Sequence, residues 1–223
     1  SDDGFDYSPL EYYENVRYYK NTERLGSSQS KTKAIQLAES DYIGVFDSHM
    51  RFKFGWYDRL KQEIDNNSDR IYCFYTTGFD PVTEQWDYRE HRGAVLQLGG
   101  KLLFGATWTK FDLDPDNTVS RVPIVLGASY FFSKRYFNQL HGFEGLKLYG
   151  REEEYISIKS WGLGGGCYLI KDIHVAHLYR DKAPQPITRK EVWYNILVIA
   201  KTLLSDYLRS RIVNLMMEKD LSM

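Results

Sequence analysis

Helical and strand-like spacings of apolar residues alternate over the first third of the chain. The stretches 30–39 and 55–67 carry apolar residues at helical spacing, whereas 42–46 and 70–77 are β-branched and aromatic runs typical of buried strands. A polar–apolar alternation over 15–20 predicts one more strand. Such alternation is typical of doubly wound α/β domains. We therefore expect an α/β fold with a mostly parallel sheet flanked by helices.

The apolar pattern loosens after residue 78. We expect short strands or a hairpin around 93–107, a buried strand just before Gly127 and a helix that begins near Ser133. The tail from about 188 to 219 has a helical pattern. No internal repeat is visible, so one α/β unit with a helical end is the simplest interpretation.

An acid-rich helix and two short strands are predicted ahead of that tail. The spacing over 151–161, REEEYISIKSW, predicts a helix that turns Ile156 and Trp161 inward. The segments GGGCYLI (164–170) and IHVAHLYR (173–180) have the composition of two short strands.

The charge balance argues against two classes of partner. The chain carries 29 basic and 30 acidic side chains, a net charge of −1, without a long run of either sign. Nucleic acid and anionic membranes are therefore not expected partners. Aromatic residues make up 16% of the chain, a richness found in sugar-binding clefts but also in ordinary cores.

The cysteines and the longest apolar segment bear on location. Cys73 and Cys167 lie far apart and form no ligand-spaced pair, which favours free thiols, a reducing compartment and hence the cytoplasm. The segment 192–204 is too short for a bilayer and is interrupted by Asn195 and Lys201. We therefore predict an amphipathic helix that docks on the domain, and no transmembrane segment.

The strand at 42–46 ends in a potential metal motif. Asp47 and His49 are two residues apart, so on an extended segment they point the same way and could hold one divalent cation. The carboxyl end of a strand is where α/β sheets place ligands. A late strand could add His177 or His174, and two His with an Asp suit a Mn²⁺- or Zn²⁺-like site. Alternation along a regular strand turns only one of these two His toward the site.

Other polar residues have both a functional and a structural interpretation. Glu152, Glu153 and Glu154 open a helix, where its dipole favours one or two acids; a third suggests a general base or an acceptor of substrate hydroxyls. Asp3 could bind a base or ribose, or form a turn. Lys31 at a helix start could bind phosphate, or be an ordinary solvated lysine. We find no nucleophile-elbow, phosphate-loop or dinucleotide fingerprint.

Four segments together resemble a known family. They are SDDGFD at 1–6, the run 25–60 around Asp-Ser-His, the run 122–170 with its Gly-Ala pair and acidic motif, and HVAHLYR at 174–180. In this order they are similar to the corresponding motifs of GT-A fold glycosyltransferases of the family 2 type. The resemblance is closest to the polypeptide N-acetylgalactosaminyltransferases and extends to about residue 185.

The resemblance implies roles for individual residues. It selects Asp47, His49 and His177 as ligands of Mn²⁺ or Mg²⁺, and Glu152 and Glu153 as catalytic residues. Binding of the donor nucleotide sugar is implied for Asp3, Lys31, Asp47, Gly127, Ala128 and Arg180.

This chain departs from the family pattern at several of these positions. Lys31 replaces an Arg and so loses a bidentate fork, and Ala128 replaces a Gly. Glu152 and Glu153 stand where relatives have Glu-Asn or Glu-Asp, which leaves inversion or retention open.

The resemblance also implies a domain plan and an activity. We expect a GT-A (Rossmann-like) catalytic domain over 1–185, with its N-terminal strand missing, and a C-terminal helical extension over 186–223 packed on it. The expected activity is metal-dependent transfer of a hexosyl or N-acetylhexosaminyl group from a UDP-sugar, UDP-GalNAc- or UDP-GlcNAc-like, to a hydroxyl of a glycan, protein or other acceptor. The alternative is a catalytically weak nucleotide-sugar or glycan-binding subunit of the same fold; a metal-dependent hydrolase is a third, less supported hypothesis.

Overall fold

The computed structural model describes residues 13–87, 90–100, 103–112, 114–179 and 187–221. The elements follow in the order α1 (Gly26–Leu37), β1 (Tyr42–Phe46), β2 (Met50–Phe52), α2 (Trp56–Asn66), β3 (Ile71–Gly78), β4 (Ala94–Gly99), β5 (Leu103–Trp108), β6 (Val119–Arg121), β7 (Ser129–Ser133), α3 (Lys134–Gln139), α4 (Glu152–Gly162), β8 (Cys167–His177), α5 (Arg189–Leu203) and α6 (Asp206–Leu221). The predicted α/β class with flanking helices is confirmed.

The central sheet is mixed, so the expectation of a mostly parallel sheet is wrong. Its strand order is β1-β7-β3-β8-β2, and β6 pairs with β8. Among the described strands only β3 and β8 pair in parallel. Strand β7 lies between β1 and β3 and is antiparallel to both, while β2 and β6 join β8 antiparallel. Strands β1, β3 and β8 share one direction, but the local apolar pattern could not reveal the inserted β7.

The sheet is covered on both faces by apolar side chains. Strand β3 is buried along its whole length, as expected for a central strand. Leu60 and Ile64 of α2 pack in one core cluster with Phe74. Ile156 of α4 and Ile196 of α5 belong to the other cluster. The C-terminal helices therefore share a core with the α/β part, and the domain boundary at residue 185 stays a prediction.

Several predicted elements are confirmed with shifted ends. The helix predicted over 30–39 begins earlier, at Gly26. The hairpin expected around 93–107 is β4 and β5, which pair with each other. Ser133 caps α3 because its side chain accepts a hydrogen bond from Tyr136 N–H. The strand predicted over 15–20 is wrong: Val16 and Tyr19 are 40% and 47% exposed, and no strand lies there.

The apolar run before Gly127 is not a strand, although it is buried. Val122 N–H donates to Cys167 O at 2.9 Å, and Ile124 forms a single bridge to Ala94. The ladder forms after Gly127, in β7. Both runs are apolar, and only the available partner strands decide which one enters the sheet.

The two short strands predicted around GGGCYLI and IHVAHLYR are one strand, β8. Its register against β3 shifts between Phe74 and Tyr75, which pair with Ile170 and His174. On β8 this irregularity lies at residues 171–173, where the two predicted segments meet. The prediction for Trp161 is wrong: it is 36% exposed and its indole N–H donates to Pro123 O at 2.9 Å.

Two further expectations concern the thiols and the bilayer. Cys73 and Cys167 are free and buried, and burial raises the pKa of each thiol to about 12. Within the described residues, no helix combines the length and the apolar character that a bilayer crossing needs. The cellular compartment stays a prediction.

Candidate active site

Backbone pairing brings Asp47 and His49 together with His177. Asp47 directly follows β1, and its N–H donates to Ala128 O at 3.0 Å, beside the start of β7. His49 precedes β2, in which Met50 pairs with His177, the last residue of β8. Leu178 N–H donates to His49 O at 3.1 Å. The ends of β1 and β8 and the start of β2, held by these hydrogen bonds, thus fix all three side chains at one place.

The three side chains are close enough to share one ion. Asp47 Oδ2 lies 3.1 Å from His177 Nε2 and 3.7 Å from His49 Nε2, and the two imidazole centroids are 4.7 Å apart. One ligand atom from each residue lies within 4.8 Å of the others. Nitrogen and carboxylate donors in this combination suit Mn²⁺, Zn²⁺ and related divalent ions. The residues present therefore fit a divalent cation.

The charge state of Asp47 also suits a cation. Burial alone would raise the pKa of Asp47, but its hydrogen bond to His177 and the nearby charges of His177, His49 and Lys31 lower the pKa below its usual value. The ionised carboxylate, which is the form that binds metals, is thereby favoured.

His174 does not join this group. It stacks on Tyr75, with ring centroids 4.5 Å apart, and burial and the charge of Lys53 lower its pKa. As the alternation of side chains along a strand predicts, only one of His174 and His177 faces the site.

Lys31 and Glu153 form the second polar pair of the site. Lys31 lies in the second turn of α1 and not at its start, which corrects the expected position. Its Nζ is 3.2 Å from Glu153 Oε1 and 5.7 Å from the centroid of the Tyr130 ring. Burial alone would lower the pKa of Lys31, but Glu153, Tyr130 and Glu152 raise the pKa well above its usual value. The lysine therefore stays a cation beside the cleft.

The three consecutive acids have different partners. Glu152 is buried and accepts a hydrogen bond from Ser28 Oγ at 3.0 Å. Glu154 is also buried and accepts Ala106 N–H at 2.7 Å, so it supports the hairpin. Glu153 alone pairs with Lys31. Glu154 therefore has a structural role, whereas Glu153 faces the lysine of the site.

Gly127 and Ala128 lie between the two polar groups. A Cβ at Gly127 would come 3.0 Å from the Glu153 carboxyl carbon, so glycine allows this close approach. The Ala128 side chain is 2% exposed, and its carbonyl holds Asp47 N–H. Ala128 therefore touches the site through its backbone. Asp3 and Arg180 lie outside the described residues.

A cleft of about 910 Å³ connects Lys31 to the Asp-His-His group. Tyr149 and Tyr179 line it as well. Burial and the charges of Glu153 and Glu152 raise the pKa of Tyr149. Neither tyrosine was predicted from the sequence, since a single Tyr in a Tyr-rich chain carries no signal.

The profile described as Glycosyl transferase family 2 matches residues 5–138. The chain belongs to glycosyl transferase family 2, which confirms the predicted glycosyltransferase class.

Within this family, the chain is similar to polypeptide N-acetylgalactosaminyltransferases. The chain is 24% identical to mouse polypeptide N-acetylgalactosaminyltransferase 5 over 214 residues, which is 89% of this chain and 22% of the relative. It is 25% identical to human polypeptide N-acetylgalactosaminyltransferase 10 over 190 residues, 80% of this chain and 31% of the relative. The chain thus spans between about a fifth and a third of the length of these two relatives.

A solved structure supports the fold assignment. The crystal structure of GalNAc-T7 with UDP, GalNAc and Mn²⁺ aligns with a TM-score of 0.69 at 20% identity and covers 82% of this chain and 37% of that chain. At this identity the match establishes the GT-A fold, as predicted.

Proposed function

We propose that this protein is a metal-dependent glycosyltransferase that moves a hexosyl or N-acetylhexosaminyl group from a UDP-sugar to an acceptor hydroxyl. The observation that carries the proposal is the Asp47, His49 and His177 group, which opens onto the same cleft as Lys31. Membership of glycosyl transferase family 2 supports the reaction class.

The Asp-His-His group is assigned to the diphosphate end of the donor. Asp47, His49 and His177 would hold Mn²⁺ or Mg²⁺, which neutralises charge on the diphosphate as its bond to the sugar breaks. Asp47 is suited to this role because its lowered pKa keeps the carboxylate ionised. We retain Arg180 for the diphosphate and Asp3 for the base as predictions from sequence.

The acidic motif is assigned to the sugar and the acceptor. In the transfer, the bond between the anomeric carbon and the diphosphate oxygen breaks and a bond to the acceptor oxygen forms, so the acceptor hydroxyl must lose its proton. Glu153, next to Gly127, is the carboxylate we assign to hold the donor sugar or to accept this proton. Glu152, which accepts a hydrogen bond from Ser28 Oγ, would help to hold Glu153 in place.

The choice of donor follows from the neighbours. The aligned crystal structure of GalNAc-T7 is a complex with UDP, GalNAc and Mn²⁺. Together with the names of the relatives, this favours UDP-GalNAc as the first donor to test, ahead of UDP-GlcNAc, UDP-Gal and UDP-Glc.

The test measures binding and turnover on the same preparation. UDP release from each of the four UDP-sugars is followed with Mn²⁺ and with EDTA, with and without hydroxyl acceptors. Calorimetry measures UDP binding with and without Mn²⁺. We expect metal-dependent UDP binding and metal-dependent turnover of at least one donor. Binding without turnover would favour the nucleotide-sugar-binding subunit, and the absence of both would overturn the proposal.

A further inference from the structure

The loop that leads into the acidic motif has an unusual backbone. Leu148, Gly150 and Arg151 have φ angles of +52°, +97° and +77°. Glycine adopts such angles freely, but leucine and arginine do so only where surrounding contacts impose them. The loop ends at Glu152, where α4 begins. The placement of the acidic motif therefore depends on whatever holds this loop.

One buried amide makes four hydrogen bonds to this loop. Asn195 of α5 is fully buried. Its Oδ1 accepts Lys147 N–H at 2.8 Å, and its Nδ2 donates to the carbonyl oxygens of Lys147, Tyr149 and Gly150 at 2.8, 3.3 and 2.8 Å. A fully satisfied polar group in a low-dielectric core fixes one arrangement of its partners.

The buried neighbours of Asn195 in α5 are apolar. Ile196 and Ile199 are also fully buried, so an apolar residue at position 195 would suit the packing of α5 alone. The polar side chain instead matches the backbone of the loop. From the opposite side, Ser28 N–H donates to Leu148 O at 3.3 Å. The loop is thus fixed between α1 and α5.

We infer that Asn195 is a positioning residue that holds the loop carrying Tyr149, which lines the cleft, and thereby sets Glu153 beside Lys31, so that helix α5 contributes to sugar transfer without touching substrate. This inference rests on the proposed function. It gives the helical tail a defined task, because among the buried residues of α5 Asn195 is the polar one, and its amide meets the backbone of the loop.

The test compares Asn195→Leu with Ile199→Ala and Ile199→Val. The Ile199 variants disturb the same helix one turn away, and the one whose thermal midpoint matches Asn195→Leu serves as the control. We expect Asn195→Leu to keep UDP–Mn²⁺ affinity within about twofold, because the Asp-His-His group is untouched, and to lose about tenfold or more in kcat. The matched Ile199 variant should keep kcat within about twofold. Equal losses of kcat in the two variants would overturn the inference.

Hydrogen exchange supplies a readout that does not need activity. In the wild-type protein, the Lys147 amide should exchange as slowly as the amides of α5, because its N–H is held by Asn195. In Asn195→Leu, residues 147–151 should exchange faster than in the matched Ile199 variant. Fast exchange at Lys147 in the wild type would overturn the inference even if Asn195→Leu does not fold. Absence of UDP-sugar turnover in the wild type would instead count against the proposed function.

Discussion

At the scale of single residues, the site depends on positions that the backbone fixes before any ligand arrives. Asp47 and His177 are 130 positions apart in the chain, yet their side chains meet at 3.1 Å. The β2–β8 pairing places Met50 opposite His177 and thereby fixes the position of His49, the residue before Met50. A ligand set assembled in this way loses little conformational freedom on binding.

Replacing His177 should therefore disrupt metal-dependent nucleotide binding selectively. We expect His177→Ala to weaken the Mn²⁺-dependent part of UDP binding at least about tenfold, as for lost groups around a metal. His174→Ala is the matched control on the same strand and should change affinity less than about twofold, because His174 stacks on Tyr75. Calorimetric titration of UDP with and without Mn²⁺ measures both. Equal losses would remove His177 from the ligand set.

A second residue-scale prediction concerns Glu153 and pH. Burial raises the pKa of Glu153, Lys31 only partly offsets this, and Glu152 adds to the rise. A carboxyl whose pKa is higher in the folded than in the unfolded state binds more protons when folded, so stability falls as pH rises from the unfolded pKa through the folded pKa. Glu153→Gln should lack this decline.

The measurement is the free energy of urea unfolding at pH values between about 4 and 8. The free energy of unfolding of the wild type minus that of Glu153→Gln should fall as the pH increases. This difference should become constant above the pKa of Glu153 in the folded protein. Glu218→Gln, which removes an exposed carboxylate of α6, corrects for the change in net charge. A wild-type minus Glu153→Gln difference that rises with pH would contradict the prediction.

At the scale of elements, local sequence predicts where chain segments form structure but not how they pair. Leu60 and Ile64 indicated α2, and the apolar run at 42–46 indicated β1, because these patterns are read within one element. The position of β7 between β1 and β3 depends on partners elsewhere in the chain. The prediction of a strand before Gly127 was wrong for that reason.

The same limit applies to the candidate site. Asp47 and His49 could be predicted because they sit together at a strand end, and His177 because a family resemblance selected it. The support from Ser28 to Glu152 joins residues 124 positions apart, and the contact from Asn195 to Lys147 spans 48. From the sequence, Asn195 was only one of two polar residues, with Lys201, that interrupt the apolar segment 192–204.

Helix α1 offers an element-scale prediction about close packing. Gly26 and Gly55 stand at the starts of α1 and α2 with φ angles of +73° and +82°. A Cβ on Gly26 would lie 2.3 Å from Leu148 Cα, whereas a Cβ on Gly55 would meet nothing within 4 Å. Gly55→Ala should destabilise by about 1–2 kcal/mol, the strain of a left-handed residue. Gly26→Ala should destabilise by about 1–3 kcal/mol more, from overpacking.

Urea unfolding of the two variants measures this difference, and Gly26→Ala should also lower donor turnover because it displaces the loop before the acidic motif. Similar free energies for Gly26→Ala and Gly55→Ala would show that the contact between α1 and Leu148 is loose.

At the scale of the whole molecule, the two core clusters argue for one cooperative unit. Ile196, Ile199 and Ala200 of α5 are fully buried in the same cluster as Phe132 of β7. Asn195 adds hydrogen bonds to the loop before α4. If the helical extension folded independently, these side chains and the surface that they cover would be exposed to water. This exposure would cost about 25 cal/mol per Å² of apolar surface.

We therefore expect the chain to unfold in a single transition, in which α5 does not melt before the sheet. Urea unfolding followed by far-UV and near-UV circular dichroism should give coincident curves. Hydrogen exchange should give amides of α5 near Ile199 the same opening free energy as amides of β3 near Phe74, because both open only by global unfolding. Ile199→Ala should shift both sets together, by about 2–5 kcal/mol for a truncated core isoleucine. If α5 opened at a lower free energy than β3, residues 186–223 would form a separable extension, and its influence on the acidic motif would be regulatory instead of constitutive.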